Sequence, residues 1–120
     1  MIRLPLKVFV ATEPVDMRLS FDRLAGIVRN HLGEEPREEM LVVFHNRRRT
    51  HLKLLWHDGG GYCVLYKRLD RAHYRIPLAI PVDARHVTVS RRELTLLLEG
   101  VDGRLLRSAR RRDRLRRKSA

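Results

Sequence analysis

The chain has 120 residues, of which 43% are hydrophobic, so its length and composition indicate one domain with a buried core. It carries 26 Lys and Arg against 14 Asp and Glu, and a net charge of +12 is unusual for a small enzyme and favours a polyanionic partner. The single cysteine excludes an intrachain disulfide, and no apolar stretch reaches the roughly 18 residues of a membrane span, so we expect a cytoplasmic protein without a membrane segment.

The first third of the chain predicts a strand followed by a helix. Residues 7–11 (KVFVA) are rich in β-branched residues and lie between two prolines, as expected of a first strand. Ser20 stands at the N-cap of a helix over about residues 20–32, which ends before Gly33. Its apolar residues recur at the spacing of one helical face: Phe21, Leu24, Ala25, Val28 and Leu32.

Residues 41–68 predict three consecutive antiparallel strands. The apolar run at 40–45 (MLVVFH) is short enough to be a central strand. Two runs rich in Leu, Val and aromatic residues, 51–57 and 62–68, flank the sequence DGGG, whose glycines supply the positive φ of a tight hairpin turn. With Gly59 and Gly60 as the loop, His57 lies opposite Tyr62.

This register divides the hairpin into two faces. One face carries Leu52, Leu54, Trp56, Cys63 and Leu65, and we expect it to be core. The other face mixes cations with aromatic and aliphatic residues: His51, Lys53, Leu55, His57, Tyr62, Val64, Tyr66 and Arg68. Such a face is typical of a surface that contacts phosphates and bases, but it can equally pack under a helix with its charges at the rim.

The last third predicts two short strands, a second helix and a basic tail. Residues 74–77 and 87–89 suit brief strands, and SRRE at 90–93 is a capping box that opens a helix over about 90–99. Residues 104–120 carry nine basic residues against Asp113 alone, so we expect a disordered or weakly helical tail.

Together these elements predict an α+β domain over residues 1–103. We expect an antiparallel sheet centred on residues 41–68, covered on one side by the two helices, with the basic tail at 104–120.

Catalytic and metal sites are poorly supported. His51 and His57 lie about 20 Å apart on one predicted strand, and no CxxC or HxxxH spacing occurs, so we expect no metal and no cofactor. A nuclease needs two or three carboxylates that converge on Mg²⁺. No two of the available carboxylates are spaced to converge; they are Asp16, Asp22, Asp58, Asp70 and Asp83. We therefore expect no catalytic residue and keep a small metal-dependent nuclease as the alternative.

The basic residues predict a nucleic-acid surface instead, because clustered arginines suit bidentate phosphate contacts. Predicted phosphate contacts are Arg47, Arg48, Arg49, Lys53, Lys67, Arg68 and Arg71, with Arg110, Arg111 and Arg112 in the tail. His57, Tyr62 and Tyr66 are expected to add stacking or polar contacts.

The chain also resembles the TnpB-type accessory protein of the bacterial insertion sequences of family sixty-six. The resemblance extends over nearly all of residues 8–102 and rests on five sequence motifs: VDMR, SFDRLA, VFHNRRR, LKLLWHDGGGYCVLYKRL and LLEGVD. It implies a non-enzymatic protein that assists transposition beside a separate, larger transposase. The implied partners are DNA, the transposase, or both. A pure protein adaptor of the transposase stays open.

Overall fold

A computed structural model describes residues 7–37, 39–70, 73–74 and 83–99. The elements in chain order are β1 (Lys7–Ala11), α1 (Phe21–Asn30), β2 (Met40–His45), β3 (His51–His57), β4 (Tyr62–Arg68), β5 (His86–Val89) and α2 (Arg91–Glu99). The strands form one five-stranded sheet in the order β4-β3-β2-β1-β5. The predicted α+β class is confirmed, whereas the predicted strand at 74–77 and the tail lie largely or wholly outside the described residues.

The hairpin between β3 and β4 has the predicted register, with His57 opposite Tyr62. Gly59 has a φ of +96°, a conformation that side-chain-bearing residues rarely adopt. The Asp58 carboxylate accepts hydrogen bonds from the backbone N–H groups of Gly60 and Gly61, each at 2.9 Å. Local turn chemistry therefore sets the pairing of the whole hairpin.

The sheet is antiparallel except between β1 and β2, which run parallel. Parallel neighbours cannot be joined by a tight turn, so the chain crosses over through α1. The meander β2-β3-β4 was predicted, whereas the partner of β1 was not.

The two helices lie on opposite faces of the sheet, so the prediction that both cover one side was wrong. Leu24 and Val28 of α1 pack in one cluster with Phe44, and Leu97 of α2 packs in another with Val43. Every residue of β2 is buried. A continuous apolar strand needs cover on both faces, and this is the physical reason for the two-sided arrangement.

The hairpin face that mixes cations with aromatics is therefore partly core. Leu55 is 1% exposed, and Val64 packs against the same cluster as α1. On the opposite face Leu52 and Leu54 are buried as predicted, but Leu65 is 42% exposed because β4 is an edge strand.

The helix ends follow local signals to different degrees. The capping box of α2 is confirmed: Glu93 N–H donates to Ser90 Oγ at 3.1 Å, and Ser90 N–H donates to Glu93 Oε1 at 3.2 Å. Ser20 is the N-cap residue of α1, but its side chain makes no capping bond there. α1 ends at Asn30, two residues before the predicted end.

Neither helix in the described ranges is long and apolar enough to cross a membrane.

Candidate nucleic-acid interface

The side chain of Asn46 bridges the turn between β2 and β3, beside the backbone hydrogen bonds that close it. Its Oδ1 accepts from the backbone N–H groups of Thr50, at 2.9 Å, and His51, at 3.0 Å. Its Nδ2 donates to Thr50 Oγ1 at 2.9 Å. Because Asn side chains readily bond nearby backbone groups, Asn46 fixes the five-residue sequence NRRRT in a defined shape. The sequence interpretation did not assign this role.

Residues 47–49, which we call the arginine turn, are exposed. Arg49 has a φ of +58°, and its carbonyl accepts from Tyr74 N–H at 2.6 Å. None of the ion pairs formed within the described ranges involves Arg47, Arg48 or Arg49. The turn therefore presents three guanidinium groups to solvent on a backbone that is fixed at both ends.

Arg68 lies at the same end of the sheet, because it pairs with His51 in the first position of β3. Leu69 N–H donates to Thr50 O at 2.9 Å and ties this end of β4 to the turn. The Arg68 guanidinium is 3.8 Å from Asp70, but both side chains are largely exposed, at 71% and 84%, so the pair contributes little stability. We call the arginine turn, His51, Tyr66 and Arg68 the basic end.

Tyr66 is the exposed aromatic residue of the basic end. Its side chain is on the same face as Lys53 and His51, its direct and diagonal neighbours on β3. The ring centroids of His51 and Tyr66 are 5.7 Å apart, and Lys53 Nζ is 4.8 Å from the Tyr66 centroid. The sequence interpretation placed His51 on this face but did not include it in the site.

Lys53 and Lys67 have internal partners and are not part of the basic end. Lys53 is 7% exposed, and its ammonium donates to Leu19 O at 2.6 Å. Lys67 donates to Leu98 O in the last turn of α2, which carries no basic residue of its own. A cation there complements the helix dipole. Both residues were predicted phosphate contacts, and in the structure their ammonium groups donate to backbone carbonyl groups.

His57 and Tyr62 are at the opposite end of the hairpin, about 20 Å from His51 along β3. Their rings form an edge-to-face pair with centroids 5.0 Å apart, and the Tyr62 hydroxyl accepts from Arg29 at 2.9 Å. They are therefore separate from the basic end. The remaining predicted contacts, Arg71, Arg110, Arg111 and Arg112, lie outside the described residues.

His45 is a buried histidine that links the start of the arginine turn to β1. It is 3% exposed, with its Nε2 3.0 Å from Ala11 O and its Nδ1 3.1 Å from Asn46 O. Burial lowers the pKa of His45 below its ordinary value, although the carbonyl contacts act in the opposite direction. The ring links the end of β2 to β1 through Ala11 O.

Two of the carboxylates considered for a nuclease, Asp16 and Asp58, have local partners. Arg18 lies 2.7 Å from Asp16 and lowers the pKa of that carboxyl to about 2. The backbone N–H groups of the hairpin turn lower the pKa of Asp58. In the part of the chain that the structure describes, no three His, Cys, Asp or Glu side chains are grouped to hold a metal ion.

Replacing Asn46 by alanine is expected to destabilise the protein by about 2 kcal/mol, because two half-buried backbone N–H groups lose their acceptor. DNA affinity should also fall although no charge is removed, since the arginine turn loses its fixed shape. Urea denaturation and DNA-binding titrations measure the two effects.

Asn46→Asp is the matched control, because a carboxylate keeps an acceptor for both N–H groups. It should retain more of the stability than alanine does. Equal stability of the wild type and Asn46→Ala would show that Asn46 does not hold the turn.

Comparison with known proteins places the chain in a sequence family. A family model described as IS66 Orf2 like protein matches residues 6–108. An uncharacterized protein of Sinorhizobium fredii (strain NBRC 101917 / NGR234), y4hO, is 37% identical over 99 residues, which cover 82% of this chain and 84% of the relative. A second uncharacterized protein of that strain, y4jC, is 31% identical over 97 residues, covering 81% and 80%. No solved structure matches the chain.

Proposed function

The chain belongs to the IS66 Orf2-like family of insertion-sequence proteins, and on that premise we propose that it is a non-enzymatic accessory protein of transposition that binds DNA through the basic end. The family supports a part in insertion-sequence transposition. The DNA contact and the absence of catalysis are our proposal, as is association with the transposase of the same element.

The observation that carries the proposal is the arginine turn. Three exposed guanidinium groups follow one another on a backbone fixed by Asn46, without a carboxylate partner among the described residues. Arginine presents a planar fork of donors that suits phosphate oxygens, and a fixed backbone lowers the entropy lost when the fork binds.

Two further features support a polyanionic partner. Arg68 adds a fourth guanidinium at the same end of the sheet, beside the exposed Tyr66 ring. Residues 104–120 add nine basic residues against one acidic residue. Phosphate contacts position a protein on DNA but do not read its sequence, so we expect the tail to raise affinity without adding selectivity.

Binding of the full-length chain to labelled duplex DNA from the ends of its element tests the proposal. Fluorescence anisotropy should give saturable binding that weakens steeply as salt is raised. The same preparation, incubated with supercoiled plasmid and Mg²⁺ or Mn²⁺, should leave the plasmid supercoiled.

Other outcomes would select a different function. Plasmid cleavage that is lost in Asp16→Asn or Asp58→Asn would establish the metal-dependent nuclease instead. Co-purification with the transposase that survives nuclease treatment, without any DNA binding by this chain alone, would establish a protein adaptor.

A further inference from the structure

We propose that the Tyr66 ring is a stacking platform for an unpaired nucleobase, so that the basic end binds single-stranded or locally unpaired DNA in preference to duplex. The inference rests on the proposed function, since it names the form of DNA that the basic end takes. The residues that carry it are Tyr66 on β4 and its neighbours His51 and Lys53 on β3.

The three tyrosines of the chain differ in what their rings can reach. Tyr74 is 2% exposed, and Tyr62 is half-buried with its hydroxyl accepting a hydrogen bond from Arg29. Tyr66 is 54% exposed in the middle of an edge strand. It is therefore the tyrosine whose ring a ligand can approach without moving the core.

The Tyr66 ring is held in place from its protein side. Lys53 Nζ lies 4.8 Å from the ring centroid, and the ammonium is itself anchored on Leu19 O at 2.6 Å. The His51 ring contacts it at 5.7 Å, inclined by 45°. A buried ammonium attracts the ring face and fixes its orientation, so the ring loses little freedom when a base stacks on its open side.

Cations for the nucleotide backbone lie next to this ring. Arg68 is two residues further along β4, about 7 Å away on the same face, and the arginine turn follows beyond His51. A DNA strand with one base stacked on Tyr66 can therefore place the neighbouring phosphates against these guanidinium groups. An intact duplex keeps its bases inside the stack, so it offers the phosphates but not the base.

Charge alone predicts the opposite preference. Duplex DNA has the higher charge density, so a surface that only neutralises phosphates binds duplex more tightly than a single strand. A preference for single strands therefore needs a contact to bases. Stacking on an aromatic ring supplies it without sequence selectivity, because every base has a π-face.

The test compares one labelled oligonucleotide, single-stranded and annealed to its complement, bound to the full-length protein at a single salt concentration. Wild type should bind the single strand more tightly. Tyr66→Ala and Tyr66→Leu should weaken single-strand binding about tenfold and duplex binding much less, and Tyr66→Phe should retain the wild-type preference. Tyr66→Leu keeps an apolar side chain on β4 and so separates loss of the ring from loss of packing.

Leu65→Ala is the matched control, since Leu65 is also exposed on β4 but faces the other side of the sheet. It should bind both forms as wild type does. Tighter binding of duplex by the wild type, or equal weakening of both forms in Tyr66→Leu, overturns this inference and leaves DNA binding intact. Absence of binding to either form overturns the inference together with the proposed function.

Discussion

Replacing Arg47, Arg48 and Arg49 together by glutamine is expected to weaken DNA binding on the order of 100-fold at physiological salt. Each guanidinium that contacts a phosphate releases condensed counterions, and three such contacts disappear at once. The fold should be unaffected, because the three side chains are exposed and Asn46 still holds the turn. Fluorescence anisotropy with duplex DNA measures the affinity, and urea denaturation verifies the stability.

A second triple variant, Arg37, Arg91 and Arg92 to glutamine, separates position from net charge. These arginines are also exposed, and they lie before the start of β2 or after the end of β5, which is the end of the sheet opposite the arginine turn. Both variants lose three positive charges. The control should lose only a small part of the affinity, and an equal loss in the two variants would mean that DNA responds to net charge rather than to the basic end.

Phe44→Ala is expected to lower the free energy of unfolding by about 4 kcal/mol. Phe44 is 0% exposed on the central strand β2 and packs in the cluster that holds Leu24 and Val28 of α1. Truncation removes the buried ring and leaves a cavity that the surrounding strands cannot fill. Because a domain of this size is stable by only about 5–15 kcal/mol, a large part of its stability would be lost. Urea denaturation measures the change.

Leu65→Ala serves as the comparison, since Leu65 is 42% exposed on the edge strand. Leu65→Ala should change the free energy of unfolding by no more than about 0.5 kcal/mol, as most surface substitutions do. If Phe44→Ala and Leu65→Ala cost the same, the core does not lie between β2 and α1 as described.

The parts of the fold that the sequence predicted are those set by neighbouring residues. The turn at Asp58 and the capping box at Ser90 and Glu93 need only a few consecutive positions, and their hydrogen bonds are those expected. The register of the hairpin follows from its turn, and so the pairing of His57 with Tyr62 was correct.

The parts that could not be predicted depend on distant segments. The parallel pairing of β1 with β2 requires knowing where α1 crosses the sheet. The signal for the two-sided arrangement was the continuous apolar run of β2. A strand of this kind is buried on both faces, and so it predicts a helix on each face of the sheet.

The same limit applies to the candidate site. Lys53 and Arg68 lie on one face of the hairpin. The ammonium of Lys53 donates a hydrogen bond to Leu19 O, whereas Arg68 is exposed. A pattern of alternating residues cannot distinguish the two, because the loop before α1 comes from elsewhere in the chain. The Asn46 to Thr50 spacing was the available signal for the fixed turn, and it was interpreted only as a basic turn.

The dependence of DNA affinity on salt tests the central claim most directly. For the full-length protein, the logarithm of the association constant should fall linearly with the logarithm of salt concentration, by about 0.9 for each phosphate contacted. The arginine-turn variant should give a slope shallower by about 2.7, which corresponds to three lost contacts. A wild-type affinity that does not change with salt, or identical slopes for the two proteins, would contradict the account.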